Sequence, residues 1–177
     1  LSLINDVLDF ARVEAGRLQF AIEDVLLEDA HSAAKSATLP MVKARGLSFQ
    51  RLPCPAGLTV RADPGRLRQI LLNLIGNAAK FTPSGGSITL SCEADEDVAR
   101  IHVTDSGPGI AADRLEAVFA PFVQEDTPLT RQHGGIGLGL AISRQLARAM
   151  NGDITVRSVP GKGSTFTVTL PRSGATS

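Results

Sequence analysis

The chain has 177 residues, 43% of them hydrophobic, which is enough for one well-buried domain and small for two. Eighteen Lys and Arg balance eighteen Asp and Glu, and the signs are interspersed, so no basic footprint for nucleic acid or an anionic membrane is present. The absence of Trp and Tyr also removes most of a base-stacking platform.

The first elements read as helical. Leu1, Ile4, Leu8, Ala11 and Ala15 recur at helical spacing, and Gly16 is placed to end the helix. The pattern runs off the N-terminus with its apolar face unpartnered, so residues 1–18 are expected to be the end of a bundle helix and a linker, cut from a longer protein. Residues 17–26 alternate like an edge strand, and residues 27–45 form a helix that Pro40 is expected to interrupt or bend. Short strands follow at 47–51 and 58–61. No apolar run reaches membrane-spanning length. Cys54 and Cys92 have no neighbouring Cys or His at zinc-site spacing, which predicts two separate thiols, neither a disulfide nor a metal cage, in a reducing compartment.

Asp63 is an N-cap with Pro64 at the first helical position, launching a helix to about Lys80. Its stretch QILLNLIGNAAKFT (69–82) puts Gln69, Asn73, Asn77 and Lys80 on one polar stripe, with Ile70, Leu71, Leu74, Ile75, Ala78 and Phe81 on the other sides. Pro83 to Gly86 stop the helix. Two alternating runs, 87–93 and 98–104, flank the acidic turn Ala94 to Asp97 as a hairpin, and DSGPGI (105–110) comes directly off the second strand. A short helix at 112–118 leads into a long, aperiodic segment at 119–134. GGIGLG (134–139) then opens a helix striped by Leu138, Ile142, Leu146 and Met150, and strands at 153–158 and 164–170 close the chain around a turn at 160–163. Strands and helices mix without strict alternation, which predicts an α+β fold with helices on one face of the sheet. Residues 172–177 are expected to fray.

Chemistry concentrates at two glycine clusters. The glycines of 134–139 let backbone N–H groups converge at the positive end of a helix, the geometry of a phosphate cradle. Neither GxxxxGK[ST] nor GxGxxG after a strand occurs, so a P-loop or dinucleotide fold does not fit. Asp105, followed by Gly107 and Gly109, offers an acceptor-only carboxylate beside bare backbone, suited to the amino group of adenine and unsuited to the carbonyl of guanine.

In this order, the Asn-rich helix, hairpin, DxGxG, Phe119 and Phe122, long loop, GxGxG helix and closing hairpin resemble the ATP-binding catalytic domain of sensor histidine kinases, within the superfamily shared with gyrase, Hsp90 and MutL. The motifs carry the resemblance over Asp63 to Leu170. Residues 1–18 resemble the end of the dimerisation helix that precedes this domain. The resemblance implies a two-layer α/β sandwich with a mixed, mostly antiparallel sheet at 19–171, followed by a tail at 172–177. It implies ATP and Mg2+ as ligands, with Asn77 the metal ligand, Asn73 beside it and Lys80 near the phosphates. Asp105 would hold adenine with Gly107, Gly109, Ile110 and Phe122 around the ring and Thr165 close by. Residues 120–134 would form a lid with Arg131 on phosphate, and Gly135, Gly137, Leu138 and Gly139 the cradle. Ile136 departs from the family's usual hydroxyl residue.

Hydrolytic members of the superfamily carry a glutamate as general base where this chain has Asn73, and an amide accepts no proton at neutral pH. Phosphoryl transfer to a histidine is therefore favoured over hydrolysis. His31, His102 and His133 lack the family's phosphoacceptor pattern, which places the acceptor on upstream helices absent from the chain. The implied partners are those helices, a response-regulator receiver domain and, in the parent protein, a second copy, in the cytoplasm or at a membrane to which the parent is anchored. A degenerate domain used only for protein interaction is the alternative, and a gyrase-type ATPase a more distant one.

Overall fold

The alternating hairpin forms the middle of the sheet. The computed structural model describes residues 8, 11, 12, 18–123 and 137–174. Five strands lie in the order β2-β4-β5-β7-β6: β2 (Ser48–Arg51), β4 (Ser87–Ala94), β5 (Val98–Asp105), β7 (Gly163–Pro171) and β6 (Asp153–Val159). β2 runs parallel to β4, and the other neighbours are antiparallel. The turn between β4 and β5 is closed by Asp95, whose Oδ1 accepts from the N–H groups of Asp97 and Val98 at 3.1 and 3.0 Å. A separate two-stranded sheet pairs β1 (Glu23–Leu26) with β3 (Thr59–Ala62).

Period-two burial decides which sheet face is covered. On β5, Ala99, Ile101, Val103 and Asp105 are buried, while Arg100, His102 and Thr104 between them are half-buried on the opposite face. On β7, Ser164, Phe166, Val168 and Leu170 share the buried face. Helices α1 (Leu27–Ala44), α2 (Pro64–Phe81) and α3 (Gly139–Ala149) pack on the sheet, and α2 touches both of the others. Leu67, Ile70, Leu71, Leu74 and Ile75 of α2 are at most 1% exposed, and burial of each such side chain contributes roughly 1.5–3 kcal/mol. The α+β sandwich expected from the sequence is the fold observed.

Asp63 starts α2 as expected: its Oδ1 accepts from Arg66 N and its Oδ2 from Ala21 N, both at 3.0 Å. One carboxylate thereby caps the helix and holds the incoming chain. Leu8, Ala11 and Arg12 are helical and exposed, whereas Gly16 lies outside the described residues.

Four expectations need correction. Helix α1 runs through Pro40 uninterrupted to Ala44: proline removes one backbone donor, and the buried stripe Leu27, His31, Ala34, Thr38 and Val42 carries the helix past it. The strand expected at 17–26 is confined to 23–26. Residues 172–173 are not frayed, because Arg172 N donates to Asp97 O at 2.8 Å and Ser173 N to Thr59 O at 3.0 Å. Finally, Cys54 and Cys92 are joined as a disulfide across 38 residues of sequence, with Cα atoms 5.6 Å apart. A cysteine on β4 and one in the loop after β2 meet only because those two strands pair.

Candidate nucleotide-binding site

The expected polar stripe of α2 splits in its environment. Asn73 turns toward α3, where its Nδ2 donates to Ser143 Oγ at 2.9 Å. Gly139, the first residue of α3, lies so close that a Cβ there would strike the Asn73 amide, which keeps its place only because the residue is glycine. Asn77, one turn further, is half-buried. Lys80 is half-buried too, its ammonium 5.2 Å from the centroid of the Phe81 ring. Burial, and then the neighbouring Arg45, lower its pKa below the usual lysine value.

Asp105 ends β5 on the helix-covered face and is 8% exposed. Its Oδ1 accepts from Gly107 N at 2.8 Å, and the backbone N–H of Ser164 also donates to the carboxylate. Burial raises the Asp105 pKa above the usual carboxylate value, and these two hydrogen bonds oppose the shift. No cationic side chain pairs with it among the described residues. A Cβ at Gly107 would lie 2.7 Å from Asp105 Oδ1 and 3.5 Å from Thr82 Oγ1. That hydroxyl is buried without a hydrogen-bond partner among the described residues. The bare backbone of Gly107 thus borders an acceptor and an unpartnered hydroxyl.

The loop after Asp105 is tied to the β6–β7 turn. Gly109 has φ +73°, and a Cβ there would strike the carbonyl of Val159. Gly161 N donates to Pro108 O, and Ile110 N to Ser158 Oγ, both at 2.7 Å. Ser158 Oγ also donates to Gly163 O at 2.7 Å and lies 2.9 Å from Ser164 Oγ. Thr165 does not join this group. Its Oγ1 meets Thr104 Oγ1 at 2.9 Å on the other sheet face, because the register sets Asp105 opposite Ser164 and Thr104 opposite Thr165. Ser164 is the residue beside Asp105. Sequence reasoning missed both Ser164 and Thr82, although counting by twos from Phe166 points to the serine.

At the far end, Phe122 N donates to Gly137 O at 3.1 Å, joining the two chains that flank 124–136. Phe122 is 63% exposed with φ +64°. Leu138 is buried at the start of α3. Arg131, Gly135, Ile136 and His133 lie outside the described residues, as does most of the expected lid at 120–134. Before that segment, Phe119 packs edge-on to Phe166, with centroids 6.2 Å apart, and under the Arg144 guanidinium at 4.5 Å. The stretch between β5 and the lid is thereby fixed to both sheet and α3.

The chain is 38% identical, over 97% of its length, to the autoinducer 2 sensor kinase/phosphatase LuxQ of Vibrio parahaemolyticus. It is 40% identical, over 96%, to the sensor protein GacS of Pseudomonas syringae pv. syringae. It spans about a fifth of these relatives, 21% and 19% of their lengths. Among solved structures, full-length ShkA in complex with AMPPNP superposes with a TM-score of 0.87 at 38% identity, covering 99% of this chain and 36% of ShkA. Residues 62–174 match the model of the histidine kinase-, DNA gyrase B- and HSP90-like ATPases, and the chain belongs to that family.

Proposed function

We propose that the chain binds ATP with Mg2+ and presents the terminal phosphoryl group to a histidine on a separate helical domain, as the catalytic part of a sensor histidine kinase. The observation that carries this reading is Asp105: a nine-tenths buried carboxylate with no cationic partner among the described residues, beside Gly107, which has no side chain to stand between Asp105 Oδ1 and Thr82 Oγ1. An ionised carboxylate accepts hydrogen bonds only, and the adenine amino group supplies a donor. Thr82 Oγ1 offers a second polar contact at the same place.

Asn77 suits Mg2+ as a single neutral oxygen ligand, since that ion keeps several waters and completes its shell from phosphates. When bound, it supplies charge neutralisation of the phosphate oxygens. Lys80, three residues on along α2, adds a positive charge on the same side, and α3 begins with no side-chain cap on its first N–H groups. Catalysis of phosphoryl transfer then consists of holding the nucleotide in line and stabilising charge.

Asn73 supports transfer over hydrolysis. An amide engaged with Ser143 Oγ cannot take a proton from water. The described histidines do not suit the acceptor role. His31 is fully buried, and His102 lies 2.9 Å from Thr167 Oγ1 and 3.4 Å from Glu93 Oε1. On this reading the acceptor histidine lies on a separate helical domain, and a response-regulator receiver domain takes the phosphoryl group onward.

The test is transfer in trans. The chain is mixed with a separate fragment carrying the dimerisation and phosphoacceptor helices and with γ-labelled ATP. Acid-labile, base-stable label on the fragment is expected. Label released only as inorganic phosphate would overturn the transferase reading.

A further inference from the structure

Away from the nucleotide residues, the fold gathers three soft donors. His31 of α1, Cys54 in the loop after β2 and Cys92 of β4 offer ligand atoms that all lie within 4.8 Å of one another. His31 is fully buried, with Nδ1 3.3 Å from Cys54 Sγ, and its Nε2 has no hydrogen-bond partner among the described residues. The two cysteines are half-buried, so the cluster is reached from their side. Cys92 is four residues along β4 from Ile88, the partner of Asp105, which separates the cluster from the nucleotide residues by about 13 Å of strand.

We propose that, with the cysteines reduced, His31, Cys54 and Cys92 form a three-ligand site for a soft divalent cation of the zinc type, in competition with the Cys54–Cys92 disulfide. Two thiolates and a neutral imidazole are a donor set that zinc accepts, leaving a fourth, open position on the half-buried side for water. Burial, with the nearby Arg51 adding to it, lowers the His31 pKa to about 4, so the ring keeps a lone pair at neutral pH.

Geometry is permissive. Zinc–sulfur bonds of about 2.3 Å require the sulfurs to separate to about 3.8 Å, a change that rotation of two side chains supplies. Each ligand stands on a fixed piece of backbone: His31 inside α1, Cys92 paired with Ile101 across β4–β5, and the Cys54 loop held by Leu52 N donating to Leu90 O at 2.9 Å.

The chemistry balances. A dithiol reductant passes two electrons and two protons to the disulfide, giving two thiols and its own disulfide. Metal binding then releases the two thiol protons as both sulfurs coordinate. A bound ion would fasten α1 to the β2–β4 edge, as the disulfide fastens the Cys54 loop to β4.

Cobalt(II) titration tests the site, with the 177-residue chain reduced by a phosphine, freed of metal and kept anaerobic. Two titratable thiols per chain are expected first. Thiolate-to-cobalt charge-transfer absorbance should then rise to saturation at one ion per chain and be displaced by zinc. Cys92→Ser and Cys54→Ser should each weaken cobalt binding at least tenfold while circular dichroism remains that of the parent, so the test does not hinge on the buried His31. The proposal is overturned if the disulfide resists the reductant, if no charge-transfer band appears with both thiols free, or if the serine variants bind cobalt as the parent does.

Discussion

Asn73 and Gly139 are in contact across the α2–α3 junction, the glycine having no Cβ where the Asn73 amide stands. The amide is held there by its 2.9 Å hydrogen bond to Ser143. One residue therefore packs against the start of α3 and, on the proposed reading, offers an amide where hydrolysis would need a general base.

Gly139→Ala should displace the Asn73 amide from Ser143 or push α3 away from α2. Overpacking of this kind costs about 1–3 kcal/mol, and a domain of this size loses roughly 2–4 °C of melting temperature per kcal/mol. Thermal denaturation of the variant measures it. Nucleotide affinity should fall along with stability, whereas a substitution at exposed Arg148 should leave affinity unchanged.

Asp105→Asn keeps an oxygen for Gly107 N but removes the charge and aims a donor at the adenine amino group. Loss of a hydrogen bond to a charged group costs about 1.5–3 kcal/mol, so affinity for an ATP analogue should fall roughly tenfold to a hundredfold. Calorimetry on variant and parent decides it.

Asn77→Ala should weaken nucleotide binding when magnesium is present and leave it nearly unchanged in a chelator. Equal affinities with and without magnesium in the parent chain would remove Asn77 from metal binding.

Acid stability has a named contributor in Asp153. Burial acts to raise its pKa, but hydrogen bonds from Arg144 Nε at 2.9 Å, Arg148 Nε at 3.1 Å and Ile154 N at 2.8 Å prevail and bring it down to about 2. The folded value lies below the ordinary 3.8, so the stabilisation is present above that pH and is lost as pH falls toward 2. With the side chain 37% exposed, solvent screening limits it to about 1 kcal/mol. Asp153→Asn should lower denaturant stability at pH 7 by about that amount and flatten its decline over this acidic range. An unchanged acid profile would contradict the assignment.

Local signals reached far into the fold. Asp63–Pro64 marked the start of α2 because capping is a short-range hydrogen bond, and the β4–β5 hairpin was legible because one face of each strand is buried. The same periodicity exposes the error at Thr165: a residue adjacent in sequence to the buried Ser164 must face the other way. Pro40 misled because tertiary burial of α1 outweighs one missing backbone bond. The His31–Cys54–Cys92 cluster was invisible for a different reason. Its members lie 23 and 38 residues apart and meet only through the parallel pairing of β2 with β4, which no spacing rule anticipates.

The most direct test of the account is a calorimetric titration of the chain and its Asp105→Asn variant, side by side, with a non-hydrolysable ATP analogue and magnesium. Saturable heat at one nucleotide per chain is expected for the parent, with binding by the variant at least tenfold weaker. Absence of heat from the parent at millimolar nucleotide, or equal affinity in the two proteins, would contradict an adenine site built on Asp105.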